Sequence, residues 1–410
     1  MPTRRYLLTS MAALAACGPV AGIPPSAPAR SAEDWPSAPN AAFDVWLSGF
    51  AARARAAGIS GPVLEPALAR AGYIPKVVER DRNQTEFRRS VEDYLAIAAS
   101  DERVTKGRAA LARHRNTLEA IEARFGVQPE VVTAIWGLES MYGERRGAVP
   151  VVSALATLAF DGRRGVFFER QLVAALRILQ AGDVPLSRLT GSWAGAMGHT
   201  QFIPTSYLEY AVDFAGDGRR DIWADDPTDA LASAAAYLSR FGWRAGRPWG
   251  TEVTLGSYDG PFGRGSTVSS SALSAAGIRP ARGGRLPDHG AASVLRPAGS
   301  GGPAFVVWRN FGTILRYNNA ESYALGVGHL SDRIAGGGPI LTAFPPDANG
   351  LTQEDRKRLQ TRLTALGFDT NGVDGVVGPG TESAIRAYQA SRGLPVTGVP
   401  SRQLISSLGG

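Results

Sequence analysis

The sequence predicts a mainly α-helical protein with two folded domains, and three observations support this. Apolar residues recur at helical spacing through most of residues 41–335, with few runs of β-branched residues. Within that region, residues 249–307 are richer in Gly, Ser and Pro and carry short strand-like runs, which indicates a small β-containing insertion. A break rich in Gly and Pro occupies residues 336–350 and is predicted to be a linker. Residues 351–410 then form a compact unit with an apolar pattern of its own.

Bulk composition is that of a globular protein. The 410 residues are 44% hydrophobic and 20% charged, which is enough for two or three domains with sizeable cores. The net charge of +7 comes almost entirely from arginine. Such a surface suits nucleic acid, anionic lipid or an acidic polymer such as a cell wall, or it reflects composition alone. Because no basic run is interleaved with aromatic residues, nucleic acid is not supported as a partner.

The first 17 residues are predicted to be a signal peptide. Arg4 and Arg5 precede an apolar run that ends near Ala16 and is too short to span a bilayer. The arginine pair and the Tyr-Leu-Leu that follows it resemble a twin-arginine export signal. An ordinary positively charged start to a signal peptide remains the alternative. Residues 18–40 are rich in Pro, Ala and Ser and are predicted to be a flexible tether.

Cys17 is the only cysteine in the chain, so intramolecular disulfides and cysteine-based metal sites are excluded. The run Leu14–Cys17 resembles a bacterial lipobox, in which the cysteine is lipidated after cleavage. Cleavage further along, for example after Ala29, is the alternative. Gly18 stands where an inner-membrane retention signal would have Asp. We therefore predict a periplasmic lipoprotein anchored to the outer membrane of a Gram-negative bacterium, held there by acyl chains.

Glu139 occupies a position where a helix would carry a core residue. Residues 129–143 read PEVVTAIWGLESMYG, and Pro129 suits the first turn of a helix. Glu139 follows Ile135 by four residues and Trp136 by three, so it falls on the apolar face. A carboxylate there loses hydration, and its pKa is expected to rise. A protonated Glu could donate to a leaving oxygen, as the acid does in glycoside cleavage. The alternative is a helix-end Glu that faces solvent or pairs with an arginine.

Two other segments are dense in groups that bind sugars. Residues 192–207 read SWAGAMGHTQFIPTSY and offer hydrogen-bonding groups, flat aromatic surfaces and glycines that permit close backbone approach. A tight junction between helices with buried aromatics is the alternative. Residues 317–323 read YNNAESY, and Asn318 and Tyr323 could line the same groove. For these two residues the alternative is a helix cap and a core tyrosine.

The C-terminal unit resembles the small three-helix peptidoglycan-binding domain. The resemblance covers nearly all of residues 351–410 and includes Leu366-Gly367-Phe368 and the turn D-G-x-x-G-P-x-T that ends at Thr381. A generic helical tail is the alternative. This resemblance implies that the protein binds peptidoglycan glycan strands.

The large domain is similar to the lytic murein transglycosylase B family over residues 41–335. The similarity rests on E-S-x-Y-G at 139–143, G-A-M-G-H-T-Q-F-I-P-T-S-Y at 195–207, D-F-A-G-D-G at 213–218, A-Y-L at 236–238 and N-F-x-x-I-L-R-Y-N at 310–318. It implies a lysozyme-like helical fold with Glu139 as the single catalytic acid/base. The groove residues implied by alignment are Ser192, Gln201, Tyr237, Tyr323 and Tyr94, and those predicted from the same motifs are Ser140, Tyr142, Met197 and Asn318.

The resemblance also implies a reaction. Glu139 would protonate the oxygen of the β-1,4 bond between N-acetylmuramic acid and N-acetylglucosamine, and the C6 hydroxyl of muramic acid would then attack C1 to form a 1,6-anhydro end. No second carboxylate is required, and the two considered, Glu144 and Glu169, look like surface residues. The alternatives are a muramidase, in which water attacks, and a non-catalytic lipoprotein that binds the wall.

Two kinds of metal site were considered. The four histidines (His114, His199, His289 and His329) are scattered, so a zinc hydrolase or amidase is not supported. Family members can carry an EF-hand-like loop, in which Asp213, Asp217 and Asp221 would fill positions one, five and nine. Alanines stand at positions three and twelve of that loop, Ala215 and Ala224. We therefore predict no cofactor, doubtful calcium binding and a loop whose role is structural.

Overall fold

The computed structural model describes residues 35–83 and 89–409. The predicted signal peptide, Cys17 and most of the predicted tether therefore lie outside the described residues. The last part of that tether prediction is wrong, because Trp35 is buried and the Ala38 N–H donates to the Tyr73 carbonyl at 2.8 Å. The Lys76 ammonium also lies 5.0 Å from the Trp35 ring centre. These contacts fix the chain onto the large domain before the first helix begins.

The described residues are mainly α-helical, which confirms the predicted fold class. In the large domain the helices are α1 (Ala41–Ala56), α2 (Gly61–Ala69), α3 (Pro75–Arg82), α4 (Val91–Ala98), α5 (Asp101–Arg113), α6 (Arg115–Phe125), α7 (Pro129–Ser140), α8 (Val151–Asp161), α9 (Gly165–Ala181), α10 (Pro204–Tyr210), α11 (Thr228–Arg240), α12 (Ser270–Ala275), α13 (Arg309–Tyr317) and α14 (Glu321–Ile334). The helix predicted to begin near Pro129 is α7.

Two small antiparallel sheets accompany these helices. Strands β1 (Val149–Pro150) and β2 (Thr190–Gly191) form a short pair. The remaining strands are β3 (Gly250–Thr254), β4 (Val268–Ser269), β5 (Arg279–Pro280), β6 (Ala291–Leu295) and β7 (Ala304–Val307). They form one sheet in the order β4-β6-β7-β3-β5, with a small core of its own. This sheet is the predicted β-containing insertion.

The large domain has two hydrophobic cores, and the chain passes between them more than once. The first core is built from α4–α7 together with α11, α13 and α14, and the second from α1–α3 with α8–α10. Tyr237 and Tyr317 pack against both cores. α7 belongs to the first core, and the 195–202 loop contributes Met197 and Phe202 to the second. The motifs singled out in the sequence therefore meet where the two cores join.

α7 ends at Ser140, one residue after Glu139. Pro129 occupies its first turn, and its side chains from Val131 to Gly137 are buried. Met141 and Tyr142, the two residues after the helix, both adopt left-handed backbone conformations, with φ of 49° and 57°. Such values are unfavourable for residues other than glycine and persist only where packing enforces them. The turn therefore fixes where Glu139 lies relative to the following loop.

The C-terminal domain consists of α15 (Gln353–Ala365), α16 (Pro379–Ser391) and α17 (Arg402–Ser407) around its own apolar core. Thr352 and Asp355 form a capping box at the start of α15, which closes its first turn. The predicted linker is held by the sheet, because the Glu252 carboxylate accepts the N–H groups of Leu341 and Thr342 at 2.8 and 2.7 Å. In the part of the chain that the structure describes, no helix has the length and apolar character needed to cross a bilayer.

Candidate active site

Glu139 and Tyr323 form the centre of the site. Glu139 is 7% exposed in the last turn of α7, and Tyr323 is 4% exposed in the first turn of α14. The Tyr323 hydroxyl donates to Glu139 Oε1 at 2.6 Å. Two motifs 184 residues apart, which the sequence assigned to one groove, are thus joined by a buried hydrogen bond. A carboxyl group held this way has a fixed orientation and little contact with bulk water.

The Tyr323 hydroxyl remains protonated and can therefore donate to Glu139. Burial raises its pKa well above the usual value, and the nearby Glu139 and Tyr317 raise it further. Tyr94, on α4, also lies close to it. Tyr94 packs against Gly326, where an added Cβ would sit 2.9 Å from the tyrosine ring. Glycine at this position therefore lets α4 bring Tyr94 beside the Glu139–Tyr323 pair.

The loop from Ser192 to Phe202 is shaped by hydrogen bonds within itself. The Ser192 hydroxyl accepts the Ala196 N–H at 3.0 Å, and the backbones of Met197 and Phe202 exchange two hydrogen bonds. Gln201 has a left-handed backbone, and its amide donates to the carbonyls of Gly198 at 2.8 Å and Arg146 at 3.0 Å. The loop is therefore rigid, as expected for a surface that orients a ligand.

Ser140 joins this loop to α7. Its hydroxyl donates to the His199 carbonyl at 2.6 Å and accepts the Gly143 N–H at 3.0 Å. Ser140 and Met197 are both completely buried. The structure thus places these two predicted substrate-binding residues beneath the site surface, where they hold the loop against the helix.

His199 is a site residue that the sequence analysis missed. Its Nδ1 accepts the Trp136 indole N–H at 3.0 Å, and its Nε2 lies 2.7 Å from the Ala224 carbonyl, so the neutral ring carries its proton on Nε2. Burial lowers the pKa of His199 to about 4. Both partners are distant in sequence, Trp136 by 63 residues and Ala224 by 25, so the motif G-H-T-Q alone gave no signal of this role.

Tyr142 connects α7 to α5. Its hydroxyl donates to the Arg103 carbonyl at 2.7 Å, and its ring meets the edge of Trp136 at 5.7 Å between centres. Burial raises the pKa of Tyr142. Glycines at 107 and 137 make room for its hydroxyl, since an added Cβ at either would lie within 2.5 Å of it. Tyr142 therefore helps to hold α7 in position.

Aromatic rings form one wall beside the loop. Tyr237 packs against Tyr317, with ring centres 5.0 Å apart, and both rings contact Phe202. The Tyr317 hydroxyl donates to the Thr200 carbonyl at 2.7 Å, a role the sequence analysis did not assign. Asn318 is 8% exposed, and its Oδ1 accepts the Ala320 N–H at 3.1 Å, so it caps the turn into α14.

The predicted site residues therefore divide into two groups. Those partly exposed are Tyr94, Tyr142, Ser192 and Tyr237, and those with at most 8% exposure are Glu139, Ser140, Met197, Gln201, Asn318 and Tyr323. The two other carboxylates considered are engaged elsewhere. Glu144 pairs with Lys106 and Glu169 with Arg53, each at 2.7 Å on the surface.

The Asp213 loop gathers a different set of acids from the one predicted. The carboxylates of Asp213, Asp217 and Asp229 lie within 4.8 Å of one another, whereas Asp221 pairs with Arg188 at 3.3 Å. Asp213 and Asp229 each accept three backbone N–H groups. These bonds hold the backbone of the loop, and the three carboxylates could hold a metal ion, whereas Ala215 and Ala224 supply no side-chain oxygen at positions three and twelve.

Comparisons with known proteins agree with this architecture. The family model of the transglycosylase SLT domain matches residues 42–332, and that of a putative peptidoglycan-binding domain matches residues 352–408. Among curated proteins, membrane-bound lytic murein transglycosylase B of Escherichia coli (strain K12) is 39% identical over 214 residues. That alignment covers 52% of this chain and 58% of the relative, so the chain spans less than two thirds of that protein.

Solved structures match over more of the chain. SltB3 of Pseudomonas aeruginosa, determined in complex with NAG-NAM-pentapeptide, is 46% identical with a TM-score of 0.72, covering 90% of this chain and all of that one. The lytic transglycosylase Slt35 of Escherichia coli, determined in complex with calcium, is 31% identical with a TM-score of 0.62, covering 72% of this chain and 93% of that one.

Proposed function

Because the chain belongs to the transglycosylase SLT-domain family, we propose that it is a peptidoglycan lytic transglycosylase and that Glu139 is its single acid/base. The bond cleaved is the β-1,4 link between N-acetylmuramic acid and N-acetylglucosamine. The observation that carries the proposal is the buried Glu139 carboxyl group, oriented by the Tyr323 hydroxyl at 2.6 Å within the matched domain.

Glu139 acts twice in the proposed reaction. It first donates its proton to the glycosidic oxygen as the bond to C1 breaks through an oxocarbenium-like state. The resulting carboxylate then removes the proton from the C6 hydroxyl of the same muramic acid, whose oxygen attacks C1. The products are a new N-acetylglucosamine hydroxyl and a 1,6-anhydro end, and Glu139 is protonated again. Because the nucleophile belongs to the substrate, orientation in the groove supplies much of the rate.

Tyr323 stabilises the deprotonated carboxylate of Glu139 that exists between the two proton transfers. Its hydroxyl donates a hydrogen bond to Oε1, and such a bond is stronger when the acceptor is charged. The interaction therefore strengthens as the proton leaves Glu139 and weakens when the proton returns. The partly exposed Tyr94, Ser192 and Tyr237 are the residues we expect to contact the sugar rings.

The proposal is tested by mass spectrometry of the soluble products after the mature protein digests purified peptidoglycan sacculi. Anhydro-muropeptides are expected from the wild type and are lost in Glu139→Gln, which keeps the side-chain shape without the acid. Glu144→Gln is the matched control, because that residue lies on the surface paired with Lys106. Reducing-end products would assign the chain as a muramidase. Binding to sacculi without any products would assign it as a wall-binding protein.

The cellular location is proposed from the N-terminal sequence. The matched curated relative is described as membrane-bound. The lipobox-like run at Leu14–Cys17 supports a lipoprotein in the periplasm of a Gram-negative bacterium, anchored to the outer membrane. Labelling cells with a fatty-acid analogue tests this. Label in the wild type and none in Cys17→Ala is expected, and label-free wild-type protein would contradict it.

We also propose that the Asp213 loop is structural and holds no calcium in the working protein. The support is the set of backbone N–H groups that Asp213 and Asp229 already accept.

A further inference from the structure

Arg356 of α15 is a buried cation at the junction between the two domains. It is 3% exposed. Its Nε donates to the Gly375 carbonyl at 2.6 Å, and its Nη1 donates to the Leu351 carbonyl at 3.2 Å and to the Asp347 carboxylate at 3.0 Å. These three contacts fix the guanidinium within the C-terminal domain and the end of the linker. Its remaining nitrogen is directed out of that domain.

That nitrogen binds two acids of the large domain. Arg356 Nη2 lies 2.5 Å from Glu92 Oε2 and 3.1 Å from Asp93 Oδ1, both in the first turn of α4. Both carboxylates are themselves mostly buried, with exposed fractions of 13% and 24%. A guanidinium removed from water needs such partners on all sides, so the contact is specific and not an incidental surface pair.

α4 connects this contact with the active site, because the same helix also holds Tyr94. Tyr94 follows Asp93 directly and packs on Gly326 of α14, one turn beyond Tyr323. Ala98, one turn further along α4, also reaches Gly326, at 3.1 Å from a Cβ added there. Any shift of α4 along or away from α14 therefore moves Tyr94 relative to the Glu139–Tyr323 pair.

We propose that Arg356 is a positioning residue for the reaction: by binding Glu92 and Asp93 it fixes α4, and with it Tyr94 in the glycan groove. The C-terminal domain is then part of the scaffold of the active site in addition to its role in binding the wall. This inference rests on the proposed function. The bonds from Glu252 to the linker support it, because they restrict where the C-terminal domain can lie.

The test uses the full chain and a soluble tetrasaccharide fragment of peptidoglycan, alongside pelleting with sacculi. Arg356→Ala is expected to lower kcat/KM on the fragment by about tenfold to a hundredfold, as for a small misplacement of a substrate-positioning group. Binding to sacculi is expected to change less than about twofold. Arg356→Lys, which can reach only one acid at a time, is expected to restore part of the rate. Equal losses in rate and in sacculus binding would overturn the proposal.

Arg358→Ala is the matched control. Arg358 lies on the same helix as Arg356, is more than half exposed and pairs with Asp355 of that helix, so its loss removes an arginine from α15 while the Arg356 contact with Glu92 and Asp93 stays in place. The double variant Glu92→Gln/Asp93→Asn is the second probe, since it removes the contact from the other side and leaves Arg356 paired with Asp347. It should reproduce the rate loss. Normal kcat/KM in this variant would overturn the proposal.

The route through Tyr94 is tested by a double-mutant cycle. If Arg356 acts through Tyr94, adding Arg356→Ala to Tyr94→Ala costs little further rate, whereas independent roles give multiplicative losses and refute the route. Amide hydrogen exchange of α4 separates this inference from the proposed function. Exchange is expected to be faster in Arg356→Ala even if the wild type forms no anhydro products. Unchanged exchange in α4 would overturn the positioning role.

Discussion

Replacing Tyr323 by Phe removes one hydroxyl group from the buried contact with Glu139 and leaves the ring in place. The lost hydrogen bond spans 2.6 Å between two side chains that are 4% and 7% exposed, so water cannot easily replace the donor. A hydrogen bond to a neutral partner contributes about 1 kcal/mol, and one to a charged partner about 1.5–3 kcal/mol. Only the difference, about 0.5–2 kcal/mol, appears as Glu139 gives up its proton.

This difference predicts a fall of about twofold to thirtyfold in kcat, because each 1.4 kcal/mol corresponds to about a factor of ten in rate. KM should change little, since Tyr323 is too buried to hold much of the substrate. The assay is the rate of anhydro-product formation from a soluble glycan fragment at saturating and at low concentration. Thermal unfolding of both proteins verifies that the variant folds.

Tyr388→Phe is the matched control for this prediction. It deletes the same group from a tyrosine of the C-terminal domain, whose hydroxyl donates to the Ser407 carbonyl at 3.1 Å. Its kcat should stay within about twofold of the wild type. If Tyr323→Phe also stays within that range, the hydroxyl does not support the charge on Glu139 and the reasoning fails.

Three further predictions concern stability and metal. The pKa of His199 is about 4 when folded and about 6.5 when unfolded, so the unfolded state binds more protons between these values and the free energy of unfolding falls by about 3 kcal/mol as pH drops from 6.5 to 4. Urea titrations should show that part of this fall disappears in His199→Asn, and an identical pH dependence would contradict it. In urea titrations Gly137→Ala should lower the free energy of unfolding by about 1–3 kcal/mol, because the new Cβ would lie 2.5–2.8 Å from the hydroxyl and ring atoms of Tyr142, and adding Tyr142→Phe should leave most of that loss because the ring atoms remain. Thermal midpoints with calcium and with a chelator should agree, whereas a midpoint that rises with calcium concentration would show that the Asp213 loop binds it.

The sequence predicted features that depend on local periodicity. α7 and the apolar-face placement of Glu139 followed from spacings of three and four residues, and the structure buries Glu139 at that position. The β-containing insertion was visible as a change in composition, and the three-helix form of the C-terminal domain was implied by its resemblance to a peptidoglycan-binding domain. In each of these cases neighbours in sequence decide the structure.

Features that depend on distant partners were missed or misjudged. The tether prediction failed at its end because Ala38 binds Tyr73, a contact that composition does not show. His199 escaped notice because its partner Trp136 is 63 residues away. Asp229 lies outside the loop pattern yet supplies the carboxylate that organises that loop. These positions are determined by contacts between residues that are distant in sequence, and local patterns in a single sequence do not reveal such contacts.

Each of the two cores combines stretches that are far apart in the chain, and this constrains the order in which the large domain can fold. The second core combines residues 35–77 with residues 149–230, and the first combines residues 95–136 with residues 231–334. Neither core can close until distant parts of the chain have met, which favours slow folding through intermediates. Glu139 lies where the two cores meet, and its hydrogen bond with Tyr323 can form only after α14 has packed against α7. A nascent or half-folded chain therefore lacks the Glu139–Tyr323 hydrogen bond, which forms only late in folding.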